Sequence, residues 1–140
     1  METTHTIFAK SELKIIQNTE WFVFSSDSVL LANFTKVKKS DKTIVDFCTG
    51  NAPVPIILTQ KTNKKIYGIE IQKEVFHLAQ KSIAENKLGN QIEIYCDDVN
   101  NIGKYFNKGE IDIITCNPPY FKYSDSSYIN NKIQKTIARH

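Results

Sequence analysis

Apolar and polar residues fall in blocks along this chain, and the period of each block predicts an element. Residues 12–16 and 20–24 are short apolar, β-rich runs around Asn18-Thr19, a pattern that predicts a hairpin. Ser25-Ser26-Asp27 offers helix N-caps, and Val29, Leu30, Leu31 and Phe34 then predict a short helix over about 28–36. Lys36 to Lys42 is a polar, basic break. Beyond it, Thr43-Ile44-Val45-Asp46-Phe47 is a candidate buried strand, Pro53 to Gln60 a short helix and Lys65 to Glu70 a second strand. Gln72 to Asn86 has a helical period, with Val75, Ala79 and Ile83 at four-residue steps and Phe76 on the adjoining row. Gly89 supplies a stop for it. Gln91 to Cys96 and Ile111 to Cys116 complete a set of four strands.

Strand–helix–strand repetition with short loops predicts an α/β fold. Its βαβ units are right-handed and its parallel sheet is covered on both faces. The expected division is a hairpin and helix over 1–40 and a sheet core over 41–140. From Lys122 to His140 the chain is polar and basic until Ile133 and Ile137, which reads as a long loop leading into a helix. The fourth strand would be an open parallel edge, which proteins usually cover. The expectation is therefore a core truncated at its C-terminal end, in a protein that continues past His140.

Composition narrows the class. With 41% hydrophobic and 24% charged residues, 140 residues suit one globular domain. No apolar run approaches the roughly 20 residues of a spanning helix, and Met1 to Lys10 contains no apolar segment of a secretory signal. No membrane association is expected. Cys48, Cys96 and Cys116 are odd in number and widely spaced, which argues against a disulfide framework and fits a reducing cytoplasm. No cysteine or histidine pair has metal-ligand spacing, so no metal is expected. The net charge of +3 leans toward an acidic partner. However, Arg139 is the only arginine, and the excess of Lys, Ile and Asn is better explained by an A/T-rich genome.

The candidate chemistry sits where the strands end. In open α/β sheets ligands lie at the carboxyl ends of the strands. The first strand runs into Asp46-Phe47-Cys48-Thr49-Gly50-Asn51-Ala52, a small-residue turn that lets backbone approach a ligand. Pro53 then stands at a first helical position, where its missing N–H costs nothing. Taken alone, this is equally an ordinary βα turn, and the three-glycine dinucleotide signature is absent. Glu70 ends the second strand, where a carboxylate can accept from both hydroxyls of a ribose or simply favour the start of the next helix. Asp97-Asp98-Val99 ends the third, as an acceptor for an adenine amine with Val99 against the ring, or as a solvated loop. Acid or small-residue tips on three successive strands are in the order that would wrap an adenosine. The three strand-end cysteines read as polarisable filler near a ligand, without a fourth ligand for a metal.

Asn117-Pro118-Pro119-Tyr120-Phe121 follows the fourth strand directly. Two prolines remove two backbone donors and stiffen the turn, and Asn117, before a proline, is biased to an extended conformation. The result is a rigid ledge that exposes carbonyls. The Asn117 side-chain oxygen and the Pro118 carbonyl can accept both N–H bonds of an amino group, while Tyr120 stacks on a planar substrate and Phe121 adds a second wall. Stacking of this kind is worth about 1–3 kcal/mol per base.

These segments, with Gly68-Ile69-Glu70-Ile71-Gln72 and Asp27-Ser28-Val29-Leu30-Leu31-Ala32-Asn33-Phe34, resemble class I amino-methyltransferases that use S-adenosylmethionine. Nearest are the bacterial enzymes that methylate adenine N6 beside the anticodon of a valine tRNA. The tail ending Ala138-Arg139-His140 shares the likeness. The resemblance implies a Rossmann-like sheet with its first four parallel strands in the order 3-2-1-4. It implies that Asp46, Cys48, Thr49, Gly50, Asn51 and Ala52 hold the methionine part of the cofactor, Glu70 the ribose, and Asp98 with Val99 the adenine, with Ile71 and Asp97 as further cofactor-side candidates. Asn117 also borders the cofactor, and Asn117, Pro118, Pro119 and Tyr120 form the catalytic ledge. tRNA is the implied partner, with no expectation about oligomeric state. Glutamine-methylating enzymes of release factors carry the same four residues, so a protein substrate stays open, as does a cofactor-binding module without catalysis. Ala52 stands where such proteins usually have glycine, and the expectation is a negative φ there.

Overall fold

The computed structural model describes residues 1–6, 12–18 and 25–118. Its elements are β1 (Glu2–Thr6), β2 (Lys14–Asn18), α1 (Ser26–Phe34), β3 (Thr43–Phe47), α2 (Pro53–Leu58), β4 (Lys65–Glu70), α3 (Lys73–Glu85), β5 (Ile92–Cys96), a 3-10 turn (Val99–Lys104) and β6 (Ile113–Cys116). Strands β3 to β6 form a parallel sheet in the order β5-β4-β3-β6. Counted within the sheet, that is the expected 3-2-1-4 order.

Alternation along the strands sorts the core into two faces. Ile44, Ile66, Ile92 and Ile94 point to one face, where Ala32 of α1, Val54, Ile56, Ile57 and Leu58 of α2, and Ala79 and Ile83 of α3 cover them. Val45 and Ile69 point to the other, under Phe106 and a stack of tyrosines. Tyr95 and Tyr105 lie with centroids 4.0 Å apart and planes 17° from parallel. Tyr67 meets Phe106 edge-on at 5.0 Å.

Helix α1 is pinned at its C-terminal end, where four carbonyls of any helix lack partners. Lys61, just past α2, donates through Nζ to the carbonyls of Ala32, Asn33 and Thr35 at 2.6–3.0 Å. At the other end Ser25 is the N-cap, with extended φ/ψ and no side-chain cap bond.

Three local expectations change. The partner of β2 is β1, paired antiparallel from Glu2↔Asn18 to Thr6↔Lys14; the 20–24 run lies outside the described residues. The ETTHT segment has no apolar alternation, so its pattern carries no strand signal. It borrows order from β2, which docks on α3: the Lys14 backbone exchanges hydrogen bonds with the Asn86 amide, and the Ile16 N–H reaches Ser82 Oγ at 2.8 Å. Second, α3 stops before Gly89. Lys87 takes φ 57°, with Leu88 N–H on the Ile83 carbonyl and Lys87 N–H on that of Ala84, so a lysine fills the left-handed place that glycine usually takes. Third, Ala52 has φ 70° and ψ 36°, the opposite sign from the expectation. Cys48 at φ 53° and Gly50 at φ 61° share the region. Three left-handed residues in five turn the chain sharply from β3 into α2, and Ala52 is held there by complete burial and by its carbonyl, which receives the Ile56 N–H.

Candidate active site

Register brings the strand ends to one edge. Phe47 lies opposite Ile69 on one side and Cys116 on the other, and Glu70 lies opposite Cys96. The turn 48–52, Glu70-Ile71, Asp97-Asp98-Val99 and Asn117-Pro118 therefore share the carboxyl edge of the sheet. Pro119, Tyr120 and Phe121, and the tail after them, lie outside the described residues.

Asp46 is turned inward. It is 2% exposed, and its two oxygens accept hydroxyls from opposite sides, Thr49 at 2.6 Å and Thr115 at 2.7 Å. Burial pushes its carboxyl up to about 7, against the pull of the two hydroxyls. Asp46 thus ties the turn after β3 to the strand that carries Asn117.

Glu70 is also buried, at 3% exposure. Oε1 accepts the Gly50 N–H at 3.1 Å and Oε2 accepts the Gln72 N–H at 2.8 Å. Burial raises its pKa, opposed by those backbone donors. Asn51 is fully buried, and its Nδ2 donates to the Ile16 carbonyl at 2.9 Å. Its Oδ1 is the one buried side-chain atom among the described residues with no hydrogen-bond partner, a cost of about 1–3 kcal/mol unless a ligand donor meets it.

The two aspartates after β5 separate by role. Asp97 is fully engaged: Oδ1 accepts from Asp98 N–H and Asn101 Nδ2, and Oδ2 from the Tyr105 hydroxyl at 2.6 Å. The Tyr105 hydroxyl, then the Asn101 amide, hold its pKa down to about 2. Asp98 caps the 3-10 turn through Oδ1, on Asn100 N–H at 2.8 Å, which leaves Oδ2 available. Ile71 is 40% exposed and Val99 half-buried beside these groups.

Cys48 and Cys116 adjoin across β3 and β6. Burial, then the Cys116 thiol and the Glu70 and Asp46 carboxylates, push Cys48 up to about 12, so it stays a thiol and a poor nucleophile. Among the described residues no three His, Cys, Asp or Glu side chains converge as metal ligands, and no helix is long and apolar enough to cross a membrane.

A small-residue turn, two acid-bearing strand tips and an Asn-Pro step meet on one edge of a 3-2-1-4 sheet. The sequence pattern of the methyltransferase small domain matches residues 18–139. The chain belongs to that family.

Relatives in the same group include the tRNA1(Val) (adenine(37)-N6)-methyltransferase of Bacteroides fragilis, 32% identical over 115 residues, covering 82% of this chain and 47% of the relative. The enzyme of that name from Shewanella halifaxensis is 28% identical over 83% of this chain and 46% of its own length. The chain thus spans about half the length of the curated relatives it matches. Among solved structures, the METTL16 methyltransferase domain superposes with a TM-score of 0.66 at 16% identity, over 90% of this chain and 57% of its own. TrmK of M. capricolum, solved with S-adenosylhomocysteine, gives 0.57 at 23% identity, over 80% and 48%. At these identities the likeness concerns the fold.

Three residues of this methyltransferase domain make contacts that the sequence pattern does not assign. Thr115 faces Asp46 from the strand before Asn117; its only signal is a polar residue at an inward position two before the ledge. A Cβ on Gly68 would lie 2.6 Å from Ile94 Cδ1 and 2.9 Å from Thr49 Cγ2 and Oγ1, so glycine lets the turn pack on β4. Ser28, on α1, receives the Asn117 Nδ2 at 3.2 Å.

Proposed function

We propose that the protein is an S-adenosylmethionine-dependent N-methyltransferase acting on the exocyclic amine of adenine in tRNA. The observation that carries this is the position of Asn117-Pro118 at the end of β6, on the edge that also holds Gly50, Glu70 and Asp98. The names of the curated relatives support the choice of tRNA.

The residues fit the cofactor class. The unpaired Asn51 oxygen is an acceptor suited to a cationic donor such as the ammonium of a methionine. Glu70 keeps acceptor capacity for a ribose hydroxyl, and the backbone bonds from Gly50 and Gln72 hold it still. Asp98, not Asp97, retains an oxygen for an adenine amine, with Ile71 and Val99 as apolar neighbours of the ring. When bound, S-adenosylmethionine supplies a sulfonium-borne methyl that passes to the amine nitrogen, which gives up one proton, leaving S-adenosylhomocysteine.

The chain's own part is orientation. Asn117 Oδ1 and the Pro118 carbonyl accept the two N–H bonds of the amine and aim its lone pair, and Tyr120 stacks on the base. Positioning of this kind supplies much of the acceleration in group transfer. The full-length protein, incubated with methyl-labelled cofactor and unmodified tRNA, is expected to label tRNA at adenine. Label in a release factor with none in tRNA would sink this reading and leave a protein glutamine as the substrate.

A further inference from the structure

We propose that Ser28 is a positioning residue for methyl transfer: it holds the Asn117 amide with its oxygen turned to the substrate amine. The inference rests on the proposed role of Asn117. A side-chain amide is nearly symmetric in shape but opposite in function at its two ends, with two donors on nitrogen and an acceptor on oxygen. An amine substrate needs the acceptor. A half-turn of the amide would set N–H against N–H and lose the bond that aims the lone pair.

One contact holds the amide in the productive orientation. Asn117 Nδ2 donates to Ser28 Oγ at 3.2 Å, across 89 residues of sequence, and this commits the nitrogen to the protein and frees the oxygen. Ser28 can serve as a fixed stop because it is 6% exposed in the first turn of α1, with its N–H on the Ser25 carbonyl at 3.2 Å. The far end of α1 is clamped by Lys61 on three carbonyls, and Ala32 anchors its middle in the core. On the other side, Asn117 is carried by β6, which Thr115 ties to Asp46. Both partners therefore sit on braced elements, and the segment before the sheet contributes to the chemistry through this hydroxyl. In this proposal Ser28 acts through Asn117.

The test is methylation of unmodified tRNA by the full-length protein and its variants. Ser28→Ala is expected to lower kcat about 10-fold, the scale of one neutral hydrogen bond. The KM for tRNA, the affinity for S-adenosylhomocysteine by calorimetry and the melting temperature should stay at wild-type values. Ser28→Thr, which keeps a hydroxyl at that position, should recover most of the lost kcat. An unchanged kcat in Ser28→Ala, while Asn117→Ala is inactive, overturns the assignment of Ser28 alone. A loss that follows melting temperature or cofactor affinity, or that threonine fails to relieve in a stable protein, also overturns it. Full activity in Asn117→Ala overturns the reading of Asn117 itself and removes the basis for Ser28.

Discussion

Replacing Asp46 with asparagine should make the protein more stable at neutral pH, and the gain should depend on pH in a specified way. Asp46 is 2% exposed, with a hydroxyl on each oxygen. Its carboxyl titrates at about 7 in the fold, against an ordinary 3.8. Between these values the folded state holds a proton that the unfolded chain has released. Stability therefore falls as pH rises through this window, is highest below 3.8 and levels off above about 7. At about 1.4 kcal/mol per pH unit, the whole window is worth about 4 kcal/mol. An asparagine keeps the shape: its oxygen can accept one threonine hydroxyl and its NH2 can donate to the other, with no charge to bury. In urea unfolding of the full-length protein followed by circular dichroism, the stability of Asp46→Asn relative to wild type should rise by about 3 kcal/mol from pH 4.5 to pH 8. Taking the difference removes the part of the Glu70 titration that burial alone causes and leaves its coupling to Asp46. Parallel curves for the two proteins across that range would refute the account of Asp46 as a buried, desolvated acid.

Other substitutions probe the same edge. Glu70→Ala should cost about 2–4 kcal/mol even without cofactor, because it strands the Gly50 and Gln72 N–H groups, and should weaken S-adenosylhomocysteine at least about 10-fold by calorimetry; intact stability would contradict the bridging role. At Ala52, φ 70° makes glycine acceptable and a β-branched residue costly. Urea unfolding should show Ala52→Gly within about 1 kcal/mol of wild type and Ala52→Val at least about 2 kcal/mol less stable; a tolerated valine would mean that the turn is not left-handed there. Gly68→Ala drives a methyl into Thr49, which Asp46 holds in place, and should cost about 1–3 kcal/mol with weakened cofactor binding in the same titration.

Much of this domain was legible in the residue pattern. The four strands, their helices and the Pro53 helix start follow from short-range periodicity and turn chemistry, which a linear chain displays directly. The resemblance of the strand-end motifs supplied the 3-2-1-4 order, and with it the edge where Gly50, Glu70, Asp98 and Asn117 meet. Some features needed the tertiary structure, because they are settled by what packs against them. Glu2–Thr6 becomes a strand through β2, a partner its own composition does not announce. Lys87 accepts left-handed backbone through the hydrogen bonds that close α3, and Ala52 through its burial and the Ile56 bond, each against a local cost of about 1–2 kcal/mol. Asp97 and Asp98 are neighbours of one type, yet the first is consumed by Tyr105 and Asn101 and only the second keeps an oxygen to offer. Asp46 meets Thr115 across 69 residues and Asn117 meets Ser28 across 89. A hydrogen bond depends on atoms brought within about 3 Å, and only the folded sheet with its braced helix determines which atoms those are.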